Sequence, residues 1–539
     1  MSKIAKYLNE HILGEVDYRT GTLSAFSNDA SVLSIKPDMV VSPRNTSDIR
    51  KVARFTWQLA DKGHILPIVS RGAGSDQTGA AIGKGIILNT TSHMTDILEL
   101  DIKQKLVRVQ PGITYKSLND ALSLHGLTIP SYPASHHYST VGGAIANNAG
   151  GMLSGRYGRT DAWVRQLEVV LASGDVLQTG RISRREVSRI KGLQNYVGEV
   201  YRKIDGLIDD NKELIDEKIS GQEDGAAGYP GIAKVKNKDG SIDLTPLILG
   251  SQGTLGVISE VIMRSDYISP NSSSLVAIFS GFDAAQDSLD EIAALKPSSL
   301  HIYDGELFMQ ATAEGKKYKF NSELAETGAV VVMQVDDFSD RNRAKRLKKA
   351  ARLLEKRGAQ VLNDPDDEDA YRAIDSVTST VNVQSIGDTL GLFDGVYIPS
   401  NRLDGFKQAV ELLSKRFSTP LPLYARVLES SIYCRPVFHL HKVTDRQRAI
   451  KLLEEFSDAV YEHDGYLCNN SAEGRLLANY SYQHIDAGVL KLYEQIRKIF
   501  DPNNSLNPGV KQSIEKKELA KLVRSDYSTP KLAGQSLKS

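Results

Sequence analysis

Apolar and polar residues alternate along the first part of the chain with periods that predict short strands and helices. Apolar residues recur at helical spacing over residues 45–63 and again over 114–125, so we expect two amphipathic helices there. Short apolar runs at residues 65–69 and 85–88 are typical of strands, and the alternation of residue types at 106–109 predicts a third strand. The pattern therefore predicts a domain in which helices and strands are mixed.

The stretch that follows, residues 130–155, has a different composition. It is dense in glycine, serine, asparagine and alanine, which favours an irregular loop over a regular core element. Long loops of this kind in compact proteins are usually functional. We therefore expect this stretch to carry part of the protein's chemistry.

A second strand–helix–strand pattern begins after about residue 265. The helix expected at 341–357 is basic, but its apolar residues fall on one face, so we interpret the charges as its solvated face and not as a nucleic-acid patch. Further strands are predicted at residues 330–335, 360–362, 396–398 and 423–428. These units predict a second domain of α+β type. After Lys511 the chain is charged and rich in small residues, and we expect no regular structure there.

Composition and charge exclude several classes of protein. Lys and Arg number 66, as do Asp and Glu, and this balance argues against nucleic acid as a partner, because phosphate-binding surfaces need excess positive charge. The two cysteines, Cys434 and Cys468, cannot provide a disulfide framework or a CxxC site. No apolar run approaches the roughly 20 residues that span a bilayer, and residues 1–16 lack the apolar core of a secretion signal. We expect a cytoplasmic protein with no transmembrane segment.

Three glycine-rich segments are the candidate functional elements of the first half. Residues 71–76, Arg-Gly-Ala-Gly-Ser-Asp, directly follow a predicted strand, and their glycines would let backbone N–H groups converge on a pyrophosphate. In residues 133–151, two Gly-Gly pairs bracket a run of small residues, as a chain lying against a flat ring would need. The third segment is Gly-Ser-Gln-Gly-Thr-Leu-Gly-Val-Ile at 250–258. Each segment taken alone is also compatible with an ordinary tight turn.

In their order and spacing, the three segments resemble those of the vanillyl-alcohol oxidase / p-cresol methylhydroxylase superfamily of FAD enzymes. The chain is most similar to the branch that contains the glycolate oxidase D-subunit and D-lactate dehydrogenase. The resemblance runs from about residue 4 to 511, and includes Phe-Ser-Asn-Asp-Ala-Ser at 26–31, Tyr-Gly-Arg-Thr-Asp at 157–161 and Phe-Asp-Pro-Asn-Asn-Ser-Leu-Asn-Pro-Gly at 500–509.

The resemblance implies an α+β fold with four regions. These are a two-part FAD-binding domain of the p-cresol methylhydroxylase type at residues 1–265, an α+β cap or substrate domain at 266–460, a C-terminal segment that returns to the FAD domain at 461–511, and a charged tail at 512–539.

The resemblance also implies FAD as the cofactor. Residues 71–76 would cradle its pyrophosphate, residues 135–151 would line the pyrophosphate and the flavin, and residues 257–258 would lie near the cofactor through their main chain. The candidate cofactor-binding residues are Arg71, Gly72, Ala73, Gly74, Ser75, Asp76, Ser135, His136, Thr140, Gly142, Gly143, Asn147, Gly151, Val257 and Ile258.

Three of these residues need comment. Ser75 occupies the place where some relatives attach the flavin to a histidine, so we expect noncovalent FAD. Asp76 must turn away from the diphosphate or accept a bond from a loop N–H, because two negative groups repel each other. His136 would either contact the flavin or substrate, or face solvent or bond within the loop.

The substrate site departs from the family pattern. The family's two metal-binding histidines correspond to Arg426 and Tyr433, and its Glu and His pair corresponds to Asn470 and Ser471, so no metal site is expected. Losing a divalent cation together with one Glu removes about one positive charge, which one arginine restores. The family's cap-domain arginine corresponds to Ile374, with an arginine two residues before it.

Three residues are therefore candidates for catalysis. Arg426 would bind a substrate carboxylate bidentately, Tyr433 would accept a proton if its pKa were depressed, and Arg475 would be a second anchor. Alternatively, Arg426 and Tyr433 simply pack where a lost site used to be.

Two functions follow from this pattern. The leading hypothesis is an FAD-dependent oxidoreductase, a dehydrogenase rather than an oxidase, that passes a hydride from a small organic substrate to flavin N5. A 2-hydroxy acid is the default substrate by family, and a protein or a quinone would accept the electrons. The alternative is an accessory or electron-transfer flavoprotein that binds FAD and has lost the substrate site.

Overall fold

The computed structural model describes residues 2–221, 227–269, 271–313, 328–362 and 388–525. The chain forms two compact units, which are described separately below. The first unit comprises Met1–Gly150, Arg159–Asp266 and Cys468–Val523. The second comprises Gly151–Gly158, Tyr267–Leu467 and Arg524–Ser539. The sequence analysis placed the corresponding boundaries at residues 265 and 460 and did not foresee that residues 151–158 belong with the second unit.

The described residues of the first unit form nine strands in two sheets. The strands are Glu15–Asp17 (β1), Met39–Ser42 (β2), Ile68–Arg71 (β3), Ile86–Asn89 (β4), Ile97–Asp101 (β5), Leu106–Val109 (β6), Val164–Val170 (β7), Val176–Gln178 (β8) and Val257–Arg264 (β9). One sheet has the order β1-β2-β4-β3, in which β4 is parallel to both β2 and β3. The other is antiparallel with the order β5-β6-β9-β7-β8. Strand β4 is buried along its whole length, as its unbroken apolar run Ile-Ile-Leu requires.

Helices cover the sheets of the first unit. They are Ser2–His11, Thr20–Ala25, Thr46–Ala60, Tyr115–Ser123, Val141–Asn147, Arg184–Lys191, Tyr196–Asp210, Lys212–Lys218, Thr245–Ile248, Ala478–Tyr482, Ala487–Phe500 and Lys516–Leu522. The helix Thr46–Ala60 begins where the Asn45 side chain accepts the Asp48 N–H, and it buries Ile49 and Val52 against the sheet.

Two of these helices correct the sequence predictions. Val141–Asn147 lies inside the stretch expected to be irregular, and it forms because the Thr140 side chain caps its first turn while Val141 and Ile145 are buried. Lys516–Leu522 lies in the segment expected to have no regular structure. It buries Leu519, and Leu522 accepts a backbone hydrogen bond from Ser34. Residues 526–539 of the expected tail lie outside the described residues.

In the second unit, the part of the chain that the structure describes forms a seven-stranded antiparallel sheet and a separate pair of short strands. The strands of this unit are Ser272–Phe279 (β10), Ser299–Asp304 (β11), Ala329–Asp336 (β12), Gln360–Leu362 (β13), Asp388–Thr389 (β14), Phe393–Tyr397 (β15), Leu423–Arg426 (β16), Ser431–Cys434 (β17) and Val437–Phe438 (β18). The sheet order is β13-β10-β12-β11-β16-β17-β15, and β14 pairs with β18. Its helices are Ser154–Tyr157, Phe282–Gln286, Leu289–Ala293, Gly305–Ala313, Asp340–Lys356, Leu403–Phe417 and Val443–Glu462. Among the helices in the described ranges of both units, none is long and apolar enough to cross a membrane.

Candidate functional site

The fold brings the first two glycine-rich segments together in the first unit. Gly72 lies so close to Thr140 that a Cβ on the glycine would clash with the threonine hydroxyl. The Ser75 hydroxyl is hydrogen-bonded to that of Ser139 at 3.0 Å. The loop after β3 and the loop that enters the helix Val141–Asn147 therefore form one surface.

The third segment joins them through Gln252. Its Nε2 donates to the Asn147 side chain at 2.7 Å, and its backbone N–H donates to the Ala146 carbonyl at 2.9 Å. Gly253 has a φ of 73°, and a Cβ there would clash with the Ser70 hydroxyl at the end of β3. Three segments that are far apart in the sequence thus converge at the carboxyl end of β3.

The Asp76 carboxylate is turned into the protein. It accepts the backbone N–H of Thr78 at 2.9 Å and of Ala80 at 2.7 Å, and the Asn147 amide at 3.0 Å. The expectation that Asp76 would bond a loop N–H is therefore confirmed. Its charge tightens the turn after Gly74 and is not presented to a ligand.

Buried charges lie beneath this loop. Arg71 is buried, donates to the Ala81 carbonyl at 3.1 Å and stacks on Phe26, while its Nε has no hydrogen-bond partner among the described residues. Burial, and then the charge of Asp76, raise the pKa of Asp29 to about 7, against the opposing effects of Ser31 and Arg71. Arg475, which is also buried, interacts with the same two carboxyls, so the group contains two arginines and two carboxyls.

The other predicted cofactor-binding residues have varied surroundings. The hydroxyl of Ser135 bonds that of Ser139, and the His136 ring packs against Tyr132 and His137, with burial lowering the pKa of His136. A Cβ at Gly142 would meet Pro111, so this glycine is needed for packing. Of the other predicted cofactor-binding residues, Val257 and Ile258 lie in β9 with buried side chains. Ala73 and Gly143 lie in the first unit, and Gly151 lies in the second.

A cavity of about 300 Å³ adjoins the converging segments within the first unit. Asn147, Asn148 and Gly250 from the predicted segments contribute to its wall. Its other lining residues include Arg159, Lys234 and Cys468, none of which the sequence analysis proposed as a site residue. Asn469 and Ser471 also line the cavity, and Arg159 donates to the Asn469 carbonyl. The sequence analysis expected Ser471 to correspond to the family's His.

Arg475 has a structural role, which corrects the expectation that it anchors substrate. Its buried guanidinium donates to the carbonyls of Gly79 at 3.1 Å, Ile82 at 3.1 Å and Pro508 at 2.6 Å, and to the Asn507 side chain at 3.3 Å. Burial lowers its pKa to about 10, so it stays charged at neutral pH. Arg475 ties the glycine loop to the C-terminal segment and is not available to a substrate.

Glu473, two residues before Arg475, forms a buried ion pair with Lys511. Lys511 Nζ is 2.7 Å from Glu473 Oε2, and both side chains are inaccessible to solvent. The other carboxylate oxygen of Glu473 accepts the Gly228 N–H and the Tyr482 hydroxyl, each at 2.8 Å. Lys511 also lies 5.3 Å from the centre of the Tyr229 ring. Both charges are therefore fully compensated inside the first unit.

The second unit brings Arg426 and Tyr433 together, on β16 and β17. Because Tyr424 and Tyr433 are paired across these strands, their rings stack at 5.0 Å, and the Arg426 guanidinium lies 4.7 Å from the centre of the Tyr433 ring. Arg426 Nε donates to the Tyr424 hydroxyl at 3.0 Å. Its Nη1 is buried and has no hydrogen-bond partner among the described residues. A buried guanidinium N–H thus remains available to an acceptor.

Models of two known domains match the chain. One, an FAD binding domain, matches residues 37–180, and the other, the C-terminal domain of FAD linked oxidases, matches residues 268–510. The chain belongs to the FAD-linked oxidoreductases. FAD is the cofactor of this family, as the resemblance predicted.

The relatives of this FAD-linked oxidoreductase are distant in sequence. It is 23% identical to the glycolate oxidase subunit GlcD of Bacillus subtilis over 88% of each chain, and 22% identical to a D-lactate dehydrogenase of Anaerostipes hadrus over 88% and 89% of the two chains. It is 25% identical to the D-2-hydroxyglutarate dehydrogenase of Haemophilus influenzae over 93% of its own length, but it spans only 50% of that relative. Substrate-bound p-cresol methylhydroxylase has the same fold, with a TM-score of 0.70 at 14% identity over 95% and 96% of the two chains. The predicted α+β fold is confirmed.

The residues of the oxidoreductase fit an FAD cofactor. The loop has glycine at positions 72 and 74, where a Cβ would clash with neighbouring side chains. Arg71 Nε is a buried N–H donor without a hydrogen-bond partner among the described residues. Ser75 cannot form a histidyl link to the flavin. When bound, FAD supplies a hydride acceptor.

The electrostatics of the second unit correct one expectation. Burial raises the pKa of Tyr433 well above its ordinary value, although the Arg426 charge opposes this. Tyr433 is therefore a neutral phenol and not a proton acceptor. Among the described residues no group of three His, Cys, Asp or Glu side chains could hold a metal ion. Ile374 and Arg372, considered for the cap-domain arginine, lie outside the described residues.

Three residues that surround Arg426 were not proposed from the sequence. They are His301 and Tyr303 on β11, and Tyr424 on β16, whose hydroxyl accepts the Arg426 hydrogen bond. The strand β11 was not predicted at all. A signal was present, because His301 and Tyr303 alternate with Leu300 and Ile302 in a run of strand formers.

Proposed function

We propose that this protein is an FAD-dependent dehydrogenase that oxidises a small 2-hydroxy acid without a divalent metal. Bound FAD would supply the hydride acceptor at its N5, and a protein or a quinone, instead of dioxygen, would accept the electrons. The family assignment and the names of the relatives, which include D-lactate and D-2-hydroxyglutarate dehydrogenases, support this reaction class.

The observation that carries the proposal is the unsatisfied guanidinium of Arg426. Burying a donor without a partner costs about 1–3 kcal/mol, so such a group is retained where a ligand completes it. A carboxylate offers two acceptor oxygens to the guanidinium fork and neutralises its charge. Arg426 would then provide the positive charge that a divalent metal provides in the family.

The aromatic residues around Arg426 orient it for this role. The Tyr424 hydroxyl fixes Nε, and the face of the Tyr433 ring supports the plane of the guanidinium. Burial lowers the pKa of Arg426, but the negative charge of Glu429 and the hydrogen bond to Tyr424 help to keep this pKa well above its ordinary value, so the guanidinium is charged. Gly151, which the resemblance places against the flavin, belongs to the same unit as Arg426.

The proposal is tested by flavin reduction. The FAD-loaded protein is mixed without oxygen with D- and L-2-hydroxy acids and with simple alcohols, and bleaching of the flavin absorption band is recorded. We expect bleaching by one enantiomer of a 2-hydroxy acid, with no effect of EDTA or of added zinc or manganese.

The variant Arg426→Ala should keep FAD and lose reduction by the acid, while Arg426→Lys recovers part of it because an ammonium keeps the charge but not the fork. If EDTA inactivates the protein and a divalent metal restores it, a metal site exists and the proposal is wrong. If no compound bleaches the flavin, the protein is an accessory flavoprotein.

A further inference from the structure

A carboxylate and two amide side chains form a continuous chain of hydrogen bonds in the first unit. Asp76 Oδ1 accepts a hydrogen bond from Asn147 Nδ2 at 3.0 Å, and Asn147 Oδ1 accepts one from Gln252 Nε2 at 2.7 Å. At the far end, Gln252 Oε1 accepts the backbone N–H of Gly474 at 2.9 Å. The chain therefore links the three glycine-rich segments to one another and to the C-terminal segment.

Both ends of this chain meet backbone donors. Asp76 Oδ2 accepts the N–H groups of Thr78 and Ala80 at 2.9 and 2.7 Å, and the other end meets the N–H of Gly474. An amide side chain that bridges two neighbours donates to one and accepts from the other, whereas a carboxylate accepts from both. Three linked groups between two donors thus need one carboxylate. With none, two donors face each other, and with two, two acceptors do.

The surroundings of Gln252 prevent the chain from relaxing. Gln252 is buried, its backbone N–H donates to the Ala146 carbonyl at 2.9 Å, and its carbonyl accepts Asn507 Nδ2 at 2.8 Å. The Thr78 hydroxyl contacts both the Asp76 carboxylate and Gln252 Nε2, but a hydroxyl can donate or accept and therefore does not set the direction of the chain. A mismatch between these buried groups is costly, because water is not there to satisfy them.

We propose that Gln252 is a positioning residue for FAD, and that the one-carboxylate chain from Asp76 through Asn147 to Gln252 sets the affinity for this cofactor. Asp76 closes the loop that follows β3, and Asn147 ends the helix whose capping residue, Thr140, lies against Gly72 of that loop. The side-chain and backbone contacts of Gln252 are made with protein groups, so it acts on FAD through the segments that it joins. The identity of the substrate plays no part in this role.

The test changes the number of carboxylates in the chain. FAD is titrated into the full-length protein from which the cofactor has been removed, and flavin fluorescence gives the dissociation constant. Asp76→Asn leaves no carboxylate and Gln252→Glu leaves two, and each should weaken FAD binding by about tenfold or more. Removing the charge of Asp76 would by itself favour a diphosphate, so weaker binding by Asp76→Asn would be due to the chain. Gln104→Glu, at an exposed glutamine of the same unit, should bind FAD as wild type does.

The double variant Asp76→Asn, Gln252→Glu moves the carboxylate to the other end of the chain. Once the Asn147 amide turns over, donors again face acceptors along the chain, and only the 3.5 Å contact of Gln252 Nε2 with the Ala472 carbonyl is lost. Its FAD affinity should return to within about threefold of wild type, because the two changes compensate each other. Asp76→Asn, Gln104→Glu has the same net charge and should not recover. Losses that simply add in the first double variant would overturn the proposal.

Stability measurements separate positioning from a purely structural role. Denaturant unfolding of the FAD-free proteins is recorded in parallel with the titrations. If the single variants are less stable but, once folded, bind FAD with wild-type affinity, Gln252 does not position the cofactor segments and the proposal is wrong. If the single variants do not fold, the double variants decide. The one with Gln252→Glu should fold and bind FAD and the one with Gln104→Glu should not, and failure of the first or FAD binding by the second would contradict the proposal.

Discussion

The two units treat buried charge in opposite ways. In the first unit, Glu473 and Lys511 form a solvent-free ion pair, and Glu473 has further donors in Gly228 and Tyr482. In the second unit, Arg426 is equally buried but is held by a tyrosine hydroxyl and an aromatic face, with one N–H unsatisfied. The difference teaches that burial alone does not mark a functional charge.

The Glu473–Lys511 pair and Arg426 differ in whether neighbouring groups compensate the buried charge and its hydrogen bonds. Glu473 and Lys511 compensate each other, so their charges are satisfied without a ligand and they hold the C-terminal segment in the first unit. Arg426 keeps its positive charge and a free donor at a buried position, a cost that a substrate would remove. Four predictions test this comparison, from the largest expected effect to the smallest.

The first prediction concerns the glycine-rich loop after β3, which would bind the pyrophosphate of FAD. Gly74→Asp should abolish FAD binding, because its Cβ would clash with Arg71 and its carboxylate would repel the pyrophosphate. Gly63→Asp is the matched control, since Gly63 also has a positive φ but open space around it, and it should keep FAD. The ratio of flavin absorbance to protein absorbance after desalting measures occupancy. Full occupancy in Gly74→Asp would mean that the loop after β3 does not bind the phosphates.

The second prediction concerns the ion pair of Glu473 and Lys511, which a substitution of Lys511 removes. Lys511→Met leaves Glu473 charged and buried, and should lower the free energy of unfolding by about 3–5 kcal/mol. The double variant Glu473→Gln, Lys511→Met should recover most of this loss, because glutamine keeps an oxygen for the Gly228 N–H and the Tyr482 hydroxyl. Denaturant unfolding gives both values. Equal stability of the single and the double variant would show that the pair is not structural.

The third prediction concerns Asp29, a buried carboxyl group of the first unit that lies near the Asp76 carboxylate. Burial and the Asp76 charge raise the pKa of Asp29 from 3.8 to about 7, so between these values the folded protein keeps a proton that the unfolded chain has lost. Stability should therefore fall as the pH rises from 4 to 7, by at most about 1.4 kcal/mol per pH unit for this one proton. Asp29→Asn should remove this slope in denaturant unfolding at pH 5, 6 and 7. The same slope in the variant would assign it to another group.

The fourth repeats the change to methionine in the second unit. Arg426→Met should change the free energy of unfolding by less than about 1 kcal/mol, because a buried cation with an unsatisfied N–H contributes little net stability. The methionine side chain fills a similar volume. Unfolding of Arg426→Met and Lys511→Met in parallel makes the comparison direct. A loss as large as that of Lys511→Met would make Arg426 a structural residue.

The sequence by itself determined the local elements and the cofactor family. The helix Thr46–Ala60 and the strand Leu106–Val109 were predicted closely, because caps and apolar periodicity act over a few residues. The three glycine-rich segments identified an FAD-linked family, since their spacing is a property of the chain alone. The helix Val141–Asn147 escaped prediction because its glycines disfavour a helix, and burial of its apolar side chains outweighs that preference.

Only the tertiary structure decided what the charged residues do. Arg475 was a candidate substrate anchor until the folded chain surrounded it with backbone carbonyls, and Tyr433 was a candidate base until burial raised its pKa. His301 became a neighbour of Arg426 only through the pairing of β11 with β16, two strands more than a hundred residues apart in the chain. Desolvation and hydrogen-bond satisfaction depend on which groups surround a side chain, and long-range strand pairing, not local sequence, selects those groups.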